Sequence, residues 1–568
     1  RRLAIGRCIR RLRLASASKA ATFKLSQPLP YFRSGRTASR FSFRHTQVCQ
    51  FSTLDNRFAT TTYADIDQGQ ADERSDETTS PYGETVYALA TGSGRAGVAI
   101  IRVSGDEAIK AASDICGLNA AQLESRVAHL RKFHHPHTKT LIDQGILLLF
   151  RGPNSFTGQD MVEFHVHGGP SVIQGMFDAL SSLGHRMSEP GEFTQRAFAL
   201  GKMDLTEVEG LADLLAAETE QQRRQALRQV VGDTRAQYQA WSHQLKRCLA
   251  HIEALIDFAD DEYDVEFTTS YERAMGMASE LHESISQCLD DGHRGEILRS
   301  GVRMVLCGAP NAGKSSLLNV LAKRPAAIVS STAGTTRDIV EVRLNLHGWP
   351  IVVSDTAGLR ETEDEIEREG IARAIAAASE AQVVVFVVDT CDGDSFNLAV
   401  AENFVKEVSD QGLSDGTAFA KRFYFVYNKI DEYNGDYRTS WKSPSVMSGL
   451  TEQGASEHFV SCVTGEGIDG FLEHLGHAIQ FRGAGGVDGD DHSAPANDEN
   501  ICITRARHRQ HLEACVAQLS KAQQFTEADV ELSAEAIRGA VLSIGRVTGV
   551  IDVEDILGVI FEEFCIGK

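Results

Sequence analysis

Gly308-Ala309-Pro310-Asn311-Ala312-Gly313-Lys314-Ser315, followed by Ser316, sets two glycines, a lysine and a hydroxyl at the spacing that cradles phosphate groups. The preceding run Val302 to Cys307 is apolar and β-branched, and the following Ser316 to Leu321 continues with helical periodicity, so the motif sits at a strand-to-helix turn. There the glycines let backbone N–H groups approach an anion at a helix start, Lys314 adds a point charge, and the Ser315 hydroxyl can hold Mg²⁺. Asp355-Thr356-Ala357-Gly358 comes directly after the apolar run Ile351-Val352-Val353, which puts a carboxylate at a strand end where it reaches the same Mg²⁺ shell. The chemistry these residues suit is binding and hydrolysis of a nucleoside triphosphate.

The base follows from a second carboxylate. Asn428-Lys429-Ile430-Asp431 closes the strand-like run Phe423 to Tyr427. Asp431 can accept from both N1–H and N2–H₂ of guanine, whereas adenine would turn an acceptor toward it, a mismatch worth about 10⁴-fold or more. Ser461-Cys462-Val463 lies where GTPases set a small loop against the base. Gly334-Thr335-Thr336-Arg337-Asp338 forms a polar switch segment in which Thr336 offers a second Mg²⁺ ligand, and the preceding Ser330-Ser331-Thr332-Ala333 is expected among the GTP-binding residues. In this order the motifs resemble a Ras-like P-loop GTPase domain over 301–481. One departure stands out: Leu359 occupies the place after the DTAG motif where such GTPases carry a water-orienting glutamine. The water must be positioned by another group, for which the acidic run Glu361, Glu363, Asp364, Glu365, Glu367, Glu369 supplies candidates.

The remaining chain has to position this chemistry. At 568 residues it is too long for one core, and its net charge of −21 hides an asymmetry. Residues 1–54 carry twelve Lys/Arg and no Asp/Glu, with many Ser, Thr and Ala, the composition of a cleaved mitochondrial transit peptide. The rest is therefore more acidic than the whole, so any RNA contact is a local basic patch or belongs to a partner. Arg223, Arg224, Arg228 and Arg235 on one predicted helix, and Arg505, Arg507 and Arg509 on another, are the candidates; solvated helix faces explain them equally well. Eleven cysteines show no CxxC pair or zinc spacing, which suits a reducing compartment, and no apolar run reaches the length of a membrane span.

The expected architecture is α/β plus all-α. A polar linker at 55–83 leads to an α/β unit at 84–200, whose strand Met161 to Val166 alternates so that Val162, Phe164 and Val166 share one face and Glu163, His165 and His167 the other. That second face suits a metal, a polar ligand pocket or solvent. Asp204 with Glu207 reads as a capping box opening a helical region at 201–300, with an apolar stripe at Tyr238, Trp241, Leu245, Leu249, Ile252 and Leu255. Helical pattern returns at 501–568 after a Gly/Asp-rich linker at 482–500, so the GTPase is inserted into a helical domain.

Arg102-Val103-Ser104-Gly105, Gly152-Pro153-Asn154-Ser155-Phe156-Thr157-Gly158, His167-Gly168-Gly169-Pro170, Pro190-Gly191-Glu192-Phe193 and the terminal Phe564-Cys565-Ile566-Gly567-Lys568 resemble, in order, the tRNA uridine-modification GTPases of the MnmE/TrmE type. The resemblance covers nearly everything after Glu84. It implies an N-terminal tetrahydrofolate-binding domain through which two copies dimerise, and an FAD-containing MnmG-type (GidA-type) partner. With that partner the family installs an aminomethyl-type group on C5 of the wobble uridine of certain tRNAs, here in the mitochondrial matrix. By position it implies that Arg102, Glu163, Lys202 and Lys568 contact 5-formyltetrahydrofolate or a related folate. It further implies that Asn311, Ser330, Thr332 and Thr335 help bind K⁺, and that Glu367 is the catalytic glutamate. Cys565 is either a thiol near the folate or a packed terminal residue. The alternative function is a GTPase switch in mitochondrial ribosome or RNA assembly, which has no reason to combine the N-terminal unit with this tail.

Overall fold

The first described strands, β1 (Val86–Leu89) and β2 (Ala96–Ser104), pair antiparallel and start a six-stranded sheet of order β3-β4-β5-β2-β1-β6, completed by β3 (His129–His134), β4 (Leu141–Phe150), β5 (Met161–Gly168) and β6 (Arg186–Met187). The computed structural model describes residues 83–119, 123–257, 264–291, 293–309, 311–328, 341–355, 376–391, 422–433, 455–483, 503–551, 560–561, 564 and 567. In β5 the expected alternation holds: Val162, Phe164 and Val166 are buried in the core that α1 (Ala108–Cys116) and α2 (Pro170–Ser182) close, while Glu163 and His165 face the other side. Pro170 opens α2, where its missing N–H costs nothing.

After α3 (Glu192–Ala199), the Asp204/Glu207 capping box forms as expected and starts α4 (Leu205–Ala216), and a second box, Thr219/Gln222, starts α5 (Glu220–Val231). The long α6 (Asp233–Asp257) and α7 (Asp264–Leu289) pack with α11 (Ala506–Ala522) and α12 (Val530–Thr548), which lie beyond the GTPase segment, around one core. Its α6 stripe runs through Tyr238, Trp241, Leu245, Cys248 and Ile252, with Leu249 and Ile256 at its margin. Leu255 is outside the stripe: Cys248, small and apolar, takes one inward position, and the helix phase then favours Ile256.

Between α8 (Arg294–Ser300) and α11 lies the second sheet, of order β12-β11-β10-β7-β9-β8, built from β7 (Val302–Cys307), β8 (Glu341–Leu346), β9 (Trp349–Asp355), β10 (Val383–Asp389), β11 (Arg422–Asn428) and β12 (Ser456–Phe459). Every pairing is parallel except β8 with β9. The fully buried β10, VVVFVVD, shows why such strands read as continuous apolar runs rather than alternating ones. With α9 (Lys314–Ala322) after the central β7, and α10 (Ile468–Gly483) closing the core, this is a P-loop GTPase fold. Among the described residues no helix is long and apolar enough to cross a membrane.

Candidate functional site

The phosphate loop leaves β7 at the point where the strand order reverses. Gly308 has φ +137°, and a Cβ there would lie 2.2 Å from the Val387 carbonyl oxygen on β10. At Gly313, φ +100°, a Cβ would lie 2.0 Å from Asn428 Nδ2. Both positions therefore exclude any side chain, which is the close backbone approach that the motif predicts. Lys314 begins α9, and its ammonium donates to the carbonyls of Gly308 at 3.0 Å and Ala309 at 2.8 Å, so the charge is folded back across the loop. Asn311 is exposed with φ +63°, and Ser315 and Ser316 are exposed in the first helical turn, where a hydroxyl can meet a cation held by phosphate.

Asn428 ties this loop to the base loop. Its buried Nδ2 donates to the Ala312 carbonyl at 3.0 Å, and its Oδ1 accepts from the N–H of the half-buried Cys462 at 3.2 Å. Ser461 is fully buried, and its hydroxyl oxygen accepts from the Val463 and Thr464 N–H groups at 3.2 and 3.0 Å, which shapes the turn. Burial, with Asp431 nearby, pushes the Cys462 thiol up to about 11, so it remains protonated and serves packing rather than nucleophilic chemistry. Val463 is 83% exposed and Asp431 is exposed, the latter free to meet an incoming base edge.

Lys429 donates to Asp389, a hydrogen bond that raises its pKa and fixes the ammonium at the end of β10. Sequence reasoning passed over Asp389, although a carboxylate ending the run Val383–Asp389 was a signal of the same kind as Asp355. Asp355 itself ends β9 beside β7, with Leu306 as its register partner. The expected ligands Ser330, Ser331, Thr332, Ala333, Gly334, Thr335 and Thr336, the DTAG residues Thr356, Ala357 and Gly358, and the expected catalytic Glu367 lie outside the described residues.

A second constellation forms in the N-terminal sheet. Arg102 on β2 is the register partner of Glu163 on β5, and its Nε and Nη2 donate to Glu163 Oε1 at 3.1 and 2.9 Å. The guanidinium sits 5.5 Å from the Phe156 ring centre and 5.8 Å from that of Phe193, so two aromatic faces flank the charge. Its third nitrogen donates to the Gly567 carbonyl at 3.2 Å, bringing the chain's far end to this sheet. Gly567 has φ +95° and a Cβ there would meet the Leu89 carbonyl oxygen at 2.3 Å, so glycine is demanded by close approach to β1. Phe561 and Phe564 anchor the tail against Leu205 and Val208 of α4. Lys202 lies with its stem against Gly158, in the same loop as Phe156. Lys568 and Cys565 are outside the described residues.

Phe156 and Phe193 were quoted in the sequence motifs without a role; their use as walls around Arg102 is a structural result. The loop carrying Phe156 is held by Arg196, fully buried, which donates to Glu192 Oε1 at 2.8 Å, to Gln159 Oε1 at 2.9 Å and to the Glu84 carbonyl at 2.8 Å. His167 pairs instead with Asp143 at 2.9 Å, so Glu163, His165 and His167 do not converge on one point. Burial raises the Asp143 carboxyl, but hydrogen bonds from the His167 backbone and ring outweigh it and hold the group below its usual range.

The basic helix positions divide into surface pairs and internal ties. Arg223 and Arg224 both pair with Glu220 on α5, Arg235 pairs with Glu207 from α6 rather than sharing that helix, Arg505 pairs with Asp213, Arg507 with Glu209, and Arg509 with Asp291 and Glu296. Arg223 and Arg224 are exposed, so a solvated helix face describes them, whereas Arg505, Arg507 and Arg509 spend their charge inside the protein and form no phosphate patch.

Two family descriptions match: the GTP-binding protein TrmE N-terminus over residues 85–202 and the MnmE helical domain over residues 205–565. Among curated relatives, the 5-taurinomethyluridine-[tRNA] synthase subunit GTPB3, mitochondrial, of Danio rerio is 43% identical, covering 86% of this chain and 94% of that protein. The tRNA modification GTPase MnmE of Parvibaculum lavamentivorans is 44% identical over 85% of this chain and 100% of that protein. The G domain of the T. maritima FeoB iron transporter, a solved structure, is 22% identical with a TM-score of 0.21, covering 32% of this chain and 99% of that one; at that score it adds nothing to the strand order above. With a phosphate loop, a guanine-type base loop and an N-terminal sheet joined to the chain's own tail, all within segments that these relatives share nearly end to end, the chain belongs to the MnmE/TrmE family of tRNA modification GTPases.

Proposed function

We propose that this chain is the GTP-hydrolysing component of a wobble-uridine modification of mitochondrial tRNAs. In this reading it works with an FAD-containing MnmG-type partner to install an aminomethyl-type group on C5, in the mitochondrial matrix. The observation that carries the reading is Arg102 meeting both Glu163 and the Gly567 carbonyl in a chain that also holds a guanine-nucleotide loop. A switch acting in ribosome or RNA assembly needs the second feature and has no use for the first.

The residues fit the groups they would hold. Arg102 suits a folate carboxylate, Glu163 accepts from a pterin N–H edge, and the half-buried Phe156 offers a ring face to a flat heterocycle over the buried Phe193, with Lys202 and Lys568 adding charge. Bound 5-formyltetrahydrofolate or a related tetrahydrofolate supplies the one-carbon unit. At the nucleotide, Lys314 and the loop N–H groups bind the phosphates, Ser315 and Thr336 hold Mg²⁺, and Asp431 selects guanine. Asn311, Ser330, Thr332 and Thr335 hold a K⁺ that supplies positive charge beside the phosphates, and Glu367 orients the water that Leu359 cannot.

Dimerisation through the N-terminal domains is supported by the cross-strand pair Leu130 and Ile146 on β3 and β4, exposed by 61% and 40%, an apolar surface beside a free sheet edge. Sedimentation of a Leu130→Glu/Ile146→Glu variant as a monomer is the expected outcome. The function is tested by mass spectrometry of mitochondrial tRNA wobble nucleosides from cells lacking the gene: the C5 group should disappear, and its retention with defective ribosome assembly would favour the other reading.

A further inference from the structure

Outside both sites, four imidazoles line one margin of the GTPase domain. His458 lies on β12, His474 and His477 one turn apart on α10, and His347 in the β8–β9 turn. His474 Nδ1 and His458 Nε2 are 3.0 Å apart, and the His347 and His477 ring centres are 4.6 Å apart. A hydrogen bond between two imidazoles requires one nitrogen to carry a lone pair, so the His458/His474 pair is not doubly protonated. His458 is held by Tyr424 stacked at 6.0 Å and by the edge of Phe471, so its ring direction is fixed, whereas His474 is exposed.

We propose that His458 and His474 form a site for a borderline divalent transition metal of the Zn²⁺ class, which clasps the base loop. Two metal–nitrogen bonds of about 2.0–2.1 Å set the nitrogens roughly 2.9–3.4 Å apart between square and tetrahedral angles, and the present separation falls in that span without a backbone shift. No group of three or more ligating side chains occurs among the described residues, so water completes the shell from the exposed side of His474. The location gives the site its consequence. His458 precedes Ser461 by three residues and His474 lies on the helix that follows the loop, so an ion bridging them closes the segment bearing Ser461, Cys462 and Val463. Closing that loop removes opening motions that let a bound base escape.

The experiment titrates ZnCl₂ into the reduced full chain without nucleotide, by calorimetry, for wild type, His458→Gln, His474→Gln and the exposed control His243→Gln. Binding should weaken at least about tenfold in the first two variants and stay unchanged in the control. His474 is exposed, so its variant keeps the fold even if His458→Gln does not. Wild-type affinity in His474→Gln, or equal loss in His243→Gln, overturns the site. A second measurement follows release of a fluorescent guanine nucleotide: Zn²⁺ should slow it severalfold in wild type and not in His474→Gln, and equal rates overturn the clasp. Only this second measurement rests on the GTP reading, so its failure beside an intact zinc titration is separable from failure of the metal site.

Discussion

Arg102 donates to the carbonyl of Gly567 across 465 residues of sequence, at 3.2 Å, while the same guanidinium holds Glu163. One side chain thus reports on both the β2–β5 register and the seating of the tail.

The first prediction concerns the folate. Arg102→Ala and Lys568→Ala should each weaken tetrahydrofolate binding by about tenfold or more, since each removes a charge-assisted hydrogen bond, and leave GTP hydrolysis intact. Equilibrium dialysis with 5-formyltetrahydrofolate beside a phosphate-release assay checks both halves; unchanged folate affinity in Lys568→Ala would remove the tail from the site.

Nucleotide choice supplies the second. Asp431→Asn replaces two acceptors by one acceptor and one donor, so the variant should lose GTP discrimination and gain xanthosine triphosphate. A competition assay that still favours GTP counts against the assigned base site.

Turnover should require K⁺ and Glu367. Replacing K⁺ by Na⁺ should slow hydrolysis far more than it weakens binding, because the cation acts on charge developed in the transition state. Glu367→Ala should show the same split, with a loss on the order of 10²-fold. Equal turnover in both salts, with an unimpaired Glu367→Ala, points to another hydrolytic route.

Glu209 governs a stability prediction. Burial pushes its carboxyl up, but His508 at 2.6 Å, then Arg507 and Arg505, more than offset this and hold it at about 2. A carboxyl depressed in the folded state stabilises above its unfolded value near 4.5 and loses that contribution as pH falls toward 2. Glu209→Gln leaves buried cations without their counterion and should cost about 3 kcal/mol near neutral pH. Denaturant melts should show the gap to wild type closing between pH 4.5 and 2; a gap independent of pH would assign the loss to packing.

Legibility followed the range of the interaction. The phosphate loop, the Asp204/Glu207 box and the β5 alternation are local rules, readable from a few neighbouring residues. The Arg507–Glu209 and Arg102–Gly567 contacts join residues about 300 and more apart, and no local pattern encodes them. Cys248 hid in the α6 stripe because its type suggests reactivity while its position is core. Asp389 was readable and overlooked, a strand-end carboxylate outside any named motif.

The four-helix core draws Tyr238, Trp241 and Leu281 from before the GTPase segment and Leu512, Leu519 and Ile537 from after it. During synthesis the α6–α7 hairpin therefore leaves the ribosome long before the helices that cover it. Until α12 emerges, Trp241 and its neighbours face water or a chaperone, while the nucleotide domain can already close on itself. A chain cut between the GTPase domain and α11 would carry a complete phosphate loop on a helical stump with its apolar side bare. Such a fragment is destined for aggregation or degradation rather than for partial activity.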